Sequence, residues 1–338
     1  MIFFFQTIHP FQWRSKIAEF SQQQLLKSAK DFDKGVTDIE PLKLEASGRR
    51  YYRALAQDQS YVICYDDSKI NGQSVFVDRS SQLANSNVRV PEILKYDPIN
   101  FLTIQEDIGD NSLIHEEFFY QNKALISKAL ELLNRMHQSE LKGIDSTFSI
   151  GLESHTKKFS KILCKEFLEI EVFEEFQDFL GAMRPELMNQ QWGNCHFDFE
   201  RRNIHQMNNG ELVLLDFQDL CFGPIGIDLA GILVDHYIAC DLELMKVHCN
   251  TFANLSSYGL SAEEIYSATC WGGLQRNLRI MGTLTNLYLR FDRPFRIKDL
   301  PQILANTITL ALALNQKALA IFLKDKVSPA LTTKLTSI

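Results

Sequence analysis

W-G-N-C-H-F-D-F-E-R-R-N-I-H-Q-M-N-N-G-E-L-V-L-L-D-F-Q-D-L-C-F-G-P-I-G-I-D, residues 192–228, decides the reading of this chain. It sets three polar anchors on an apolar background: Asp198, then Asn203 five positions on, then Asp216 at the end of an apolar run. Ile204–Met207 reads as a short strand, Asn208-Asn209-Gly210 as a hairpin turn, and Glu211–Leu215 as the returning strand. Asn and Gly tolerate the positive φ that such turns demand. A hairpin of this size brings Asn203 and Asp216 to one rim.

Phosphoryl transfer asks a protein for positioning and for cancellation of negative charge. Asp198 stands where a base would take the proton of an acceptor hydroxyl. Asn203 and Asp216 offer hard oxygens that suit Mg²⁺. His196 is expected to brace the loop. Asp228 follows Gly223-Pro224-Ile225-Gly226 and either caps the next helix or supports the loop from below.

Composition narrows the function class. The chain has 338 residues, 45% hydrophobic, and a net charge of −7. The length suits about two domains or lobes. Mild acidity argues against nucleic acid as a partner. Seven cysteines, an odd number without a C-x-x-C pair, read as free and mostly buried thiols of a reducing compartment. The apolar start Met1–Phe5 is short and lacks a basic flank, so no signal peptide is expected. No run reaches the ~20 apolar residues of a membrane span. A cytoplasmic protein with no membrane association and no obligate protein partner is the expectation.

Outward from the hairpin, periodicity divides the chain. Phe11–Phe32 has the pattern of an amphipathic helix. Residues 41–45, 51–55 and 61–65 alternate or are β-rich and predict three antiparallel strands; 92–96 and 101–105 predict two more. Residues 71–85 predict a loop and short helix. The loop before the second strand, with Ser47, Gly48, Arg49 and Arg50, suits phosphate through amides and guanidiniums, or is simply a glycine hairpin with surface arginines. A lobe boundary is expected after residue 106, dividing 1–106 from 107–338. An adenine ring would stack in that crease and bond to backbone near Gln105, Glu106 and Asp107. Helical spacing then dominates: 118–137, 159–180, 241–257, 262–290 and 300–324. Arg276, Arg279, Arg290, Arg293, Arg296 and Lys298 form a basic run, either a solvated face or a cationic wall of an acceptor pocket.

The motifs H-F-D-F-E-R-R-N (196–203), L-L-D-F-Q-D (214–219) and G-P-I-G-I-D-L (223–229) resemble the aminoglycoside phosphotransferase and choline kinase-like family. A narrower likeness rests on S-G-R-R-Y-Y-R (47–53), G-L-Q-R-N-L-R-I-M-G (273–282) and D-L-P (299–301). These look like the anomeric N-acetylmuramate/N-acetylglucosamine kinases of cell-wall recycling. The resemblance implies an α+β, bilobal, protein-kinase-like fold with a small antiparallel N-lobe and a mostly helical C-lobe. It implies ATP and Mg²⁺ as cofactors, an amino sugar as acceptor, Asp198 as base, and Asn203 and Asp216 as metal ligands. Two positions depart from the pattern. Phe197 stands where the sugar kinases generally carry Arg, and Cys64 where a protein kinase has its phosphate-binding Lys. Arg49, Arg50 or Lys69 would then clamp phosphate. Two other readings compete: a kinase for an aminoglycoside or choline-like amine, and a pseudokinase that binds nucleotide without turnover.

Overall fold

The computed structural model describes residues 22–42, 50–65, 69–70, 73–144, 148–174, 176–291 and 293–337. The fold is α+β and divides into two compact units. One takes residues up to Val77 together with Glu92–Asp107; the other takes Asp78–Pro91 and everything from Ile108 on.

The first unit opens with α1 (Gln22–Phe32), whose Leu25 and Ala29 lie one turn apart and are both buried. β1 (Asp38–Pro41), β2 (Arg50–Leu55) and β3 (Ser60–Tyr65) follow, rich in aromatic and β-branched residues. A small hairpin, β4 (Lys69–Ile70) and β5 (Gln73–Ser74), precedes α2 (Val75–Asn85), which runs on into the second unit. β6 (Ile93–Asp97) and β7 (Leu102–Glu106) complete an antiparallel sheet of order β1-β2-β3-β7-β6. Leu25, Ala29, Val36, Ile39, Ala54, Ile63 and Leu102 make the core between helix and sheet. The first strand lies earlier than its alternation suggested. Asp38–Pro41 pairs with β2 from Leu55 back to Tyr52, and residues 43–45 lie outside the described residues. The N-terminal half of the expected helix 11–32 also lies outside them.

The second unit is mostly helical. α3 (Lys123–His137) starts five residues later than expected, because Asn122 caps it by accepting the Leu125 N–H. The helix expected over 159–180 is broken. α4 (Phe148–Lys158) continues as a π-helical stretch, Phe159–Phe167, and α5 (Phe176–Met188) starts afresh. Between them Glu169 has φ 58°, which no helix continues through. Phe159, Leu163, Phe167 and Phe176 are nevertheless all buried, and the Phe159 and Phe176 rings lie 5.8 Å apart. Four short strands follow: β8 (Trp192–Cys195), β9 (Ile204–Gln206), β10 (Leu212–Leu214) and β11 (Cys221–Pro224). Then come α6 (Gly226–Leu233), α7 (Leu242–Leu255) and α8 (Ala262–Phe291). The last expected helix, 300–324, is α9 (Leu300–Ala313) and α10 (Lys317–Phe322), separated at Asn315 with φ 56°; α11 (Ser328–Thr336) ends the unit. Among the described residues no helix is long and apolar enough to cross a membrane.

The 30-residue α8 is the spine of this unit and packs on α4, α5, α6, α7 and α9. Its closest crossing is with α6. A Cβ on Gly272 would sit 2.2 Å from the Gly226 backbone, and one on Gly226 would sit 2.0 Å from the Ala268 carbonyl. Two glycines at the crossing let the backbones touch. That approach sets what α8 presents one and two turns later.

Candidate active site

β8 and β11 pair antiparallel, Cys195 opposite Cys221, and form the floor from which the loop 196–203 rises. β9 and β10 pair with Ile204 opposite Leu214, and the Leu215 N–H donates to the Asn203 carbonyl at 2.8 Å. Asn203 and Leu215 therefore face each other at the open end of the hairpin, and Asp216 is the next residue. The Asn203 side chain donates Nδ2–H to the Asp198 carbonyl at 2.8 Å. The main chains of the three anchors thus lie together at one rim.

The loop is held from several sides. Both oxygens of the Asp228 carboxylate accept its backbone amides, from His196 at 2.7 Å and Phe197 at 2.6 Å. Asp228 is fully buried in the first turn of α6, and His137 Nε2 lies 3.3 Å away. Its bracing of the loop was one of the two roles its position suggested. The His196 ring bonds to the Leu215 carbonyl at 2.9 Å, tying the loop to the strand that delivers Asp216. Ser112 Oγ donates to the Arg201 and Arg202 carbonyls at 3.0 and 3.1 Å. Phe197 and Asp216 both adopt left-handed backbone, φ 63° and 59°. Such conformations cost non-glycine residues of order 1–3 kcal/mol and persist only where neighbours enforce them. Here Asp228 and Arg279 enforce the first.

Glu200 and Arg201 anchor the loop from inside. Arg201 pairs with Asp235 through Nε at 2.7 Å and through Nη2. Glu200 accepts Arg276 Nη2 at 2.9 Å and pairs with Arg202. His236 lies between Arg276 and Arg296, with Glu200 3.5 Å from its Nδ1. Burial pushes the Glu200 carboxyl upward, but the guanidiniums of Arg202, Arg276 and Arg296 outweigh it and hold the group below the usual carboxylate range. Burial, followed by Arg276, lowers His236 well below an ordinary histidine. The basic run of 276–298 is therefore not one solvated face. Arg276 is 1% exposed, and Arg279 donates to the Phe197 carbonyl at 2.9 Å. Sequence reasoning missed these roles. The signal was their spacing of three on one helix, one and two turns beyond Gly272.

The expected nucleotide residues are distributed as follows. Ser47, Gly48 and Arg49 lie outside the described residues; Arg50 opens β2, exposed. Gln105 is buried in β7 and donates to Thr103 Oγ1; the Glu106 amide donates to the Glu92 carbonyl. The Asp107 carboxylate accepts Arg53 at 2.7 Å and Ser60 Oγ at 2.6 Å, so its side chain is structural. Cys64 is fully buried between Tyr51 and Thr103 in the sheet.

The sequence profile described as the phosphotransferase enzyme family matches residues 38–247. A protein of Neisseria meningitidis serogroup B named N-acetylmuramate/N-acetylglucosamine kinase is 26% identical over 276 residues, covering 77% of this chain and 81% of its own. Among solved structures, an ethanolamine kinase of Plasmodium vivax superposes with TM-score 0.62 at 15% identity, covering 88% of each chain. A choline kinase from Streptococcus pneumoniae superposes with TM-score 0.58 at 13% identity, covering 85% of this chain and 99% of its own. At such identities the superpositions speak for the fold alone.

Proposed function

We propose that this chain, which belongs to the phosphotransferase enzyme family and is a small-molecule kinase, moves the γ-phosphoryl group of ATP onto the anomeric C1 hydroxyl of an amino sugar. N-acetylmuramate and N-acetylglucosamine are the acceptors, and cytoplasmic cell-wall recycling is the setting. The observation that carries the reading is the single rim holding Asp198, Asn203 and Asp216. The acceptor class is supported by the name of the Neisseria relative and by the segment 273–282.

In this reading Asp198 accepts the proton of the C1 hydroxyl. The sugar oxygen bonds to the γ-phosphorus as the bond from that phosphorus to the β-phosphate bridging oxygen breaks, and ADP leaves. An anomeric hydroxyl is more acidic than an ordinary alcohol, so a carboxylate suffices as base.

The donor ends at the rim suit a divalent ion. Asn203 donates one amide hydrogen to the Asp198 carbonyl, which turns its oxygen elsewhere. Asp216 Oδ1 accepts Gln218 Nε2 at 2.7 Å and leaves Oδ2. Asn203 and Asp216 would hold Mg²⁺, which when bound supplies neutralisation of the charge shared by the β- and γ-phosphates. Cys64 is fully buried and offers no ammonium or guanidinium to a phosphate. That role goes to the loop of Ser47, Gly48, Arg49 and Arg50 or to Lys69, with the adenine against Gln105–Asp107.

The test is turnover with ATP and Mg²⁺ across N-acetylmuramate, N-acetylglucosamine, kanamycin and choline. Formation of an amino-sugar 1-phosphate is expected. Phosphorylation of kanamycin or choline with both sugars untouched would move the acceptor class; no turnover of any would favour the pseudokinase.

A further inference from the structure

We infer that Arg279 is the positioning residue of the base, acting from α8 on Asp198 and not on the nucleotide; the inference rests on Asp198 having the role proposed above. One Arg279 nitrogen, Nη2, donates to the Phe197 carbonyl at 2.9 Å and lies 3.7 Å from Asp198 Oδ1. A carboxylate base works only if one oxygen faces the hydroxyl while its rotation is restrained. Arg279 supplies that restraint on Oδ1 and leaves Oδ2 for the acceptor. The same guanidinium fixes the carbonyl just before Asp198, so side chain and backbone of the base are aligned by one group.

The arginine itself is well placed to do this. Its side chain is 20% exposed against 38% for Asp198, so it approaches the base from the protein side. Its Nε is buried and without a hydrogen-bond partner among the described residues. Arg276, one turn earlier on α8, carries the structural duty toward Glu200. The two arginines divide the work: Arg276 holds the loop, Arg279 aims the base. A lysine at 279 keeps the charge but lacks the rigid planar guanidinium that sets one nitrogen between carbonyl and carboxylate.

The experiment is a double-mutant cycle on the full chain with ATP and the amino sugar, using Asp198→Ala, Arg279→Ala and the pair. A misplacement of the order of 1 Å costs about 10²-fold in rate, so Arg279→Ala should lower kcat by about that factor with KM for ATP unchanged. Placed on Asp198→Ala, it should cost almost nothing further. Methylguanidinium should restore part of the rate to Arg279→Ala and none to the pair. Arg279→Lys, which disturbs packing least, should fall between, and matched melting curves would exclude unfolding. Losses that multiply across the cycle, or wild-type kcat in Arg279→Ala and Arg279→Lys, would overturn the inference. The same cycle is read on acceptor-free ATP hydrolysis. Failure of every sugar would then sink the acceptor class while leaving the role of Arg279 open to measurement.

Discussion

Asp228→Asn removes one charge and almost no volume from the support of the 196–203 loop. The carboxylate accepts two backbone amides at 2.7 and 2.6 Å in a fully buried setting. An asparagine accepts one of them with its oxygen and turns its NH₂ toward the other. One amide is then buried without an acceptor, at about 1–3 kcal/mol, and the other loses its charge-assisted bond. The total is roughly 2–5 kcal/mol, on the order of 5–10 °C in Tm. The left-handed turn at Phe197 then lacks its main restraint, so the base moves and kcat falls by about 10²-fold. The assay pairs a melting curve with kcat at saturating ATP. A variant that melts and turns over like the wild type would refute the reasoning, because the loop would then be held by something other than Asp228.

Asp198→Ala should lower kcat by about 10²–10⁴-fold with ATP binding retained, and Asp216→Ala should abolish the response of the rate to Mg²⁺; steady-state kinetics against both ligands checks them. Gly272→Ala forces a Cβ to within 2.2 Å of the Gly226 backbone and should cost about 1–3 kcal/mol or more in urea denaturation. In contrast, Gly181→Ala in α5, where nothing lies within 4 Å, should stabilise by about 0.5–1 kcal/mol. His236 is kept neutral in the fold by burial and the flanking arginines. Below its unfolded value of 6.5 the unfolded chain binds a proton that the folded chain refuses, so this stabilising contribution is present above that pH and lost as pH falls. The loss approaches about 1.4 kcal/mol per pH unit. His236→Asn should flatten stability between pH 6.5 and 5 by up to that slope, although His155, His205 and His248, also lowered by burial, retain theirs.

Local chemistry was readable where it is written locally. The Asn208-Asn209-Gly210 turn and its flanking apolar residues placed the β9–β10 hairpin, and with it the meeting of Asn203 and Asp216. Change of period from two to helical placed the sheet in the first unit and the helices in the second. Interruptions were harder to see. The aromatic stripe from Phe159 to Phe176 has helical spacing throughout, yet Glu169 breaks the chain in the middle, and apolar periodicity does not record a backbone turn between two buried positions. The duties of Arg276 and Arg279 were hidden for another reason. Their partners, Glu200 and Phe197, lie about eighty residues away, separated by 76 and 82 positions. A basic run reads as surface until a partner is known, and the partners of Arg276 and Arg279 are visible only in the folded chain.

That glycine crossing has a bearing on synthesis. A nascent chain emerging from the ribosome carries Asp198, Asn203 and Asp216 into solution long before α8 exists. Until residue 279 is made, the loop lacks both arginines that grip it from α8. Vectorial growth therefore completes the scaffold of the 196–203 loop late, and a product truncated within α7 would carry Asp198, Asn203 and Asp216 without the two arginines that hold their loop from α8.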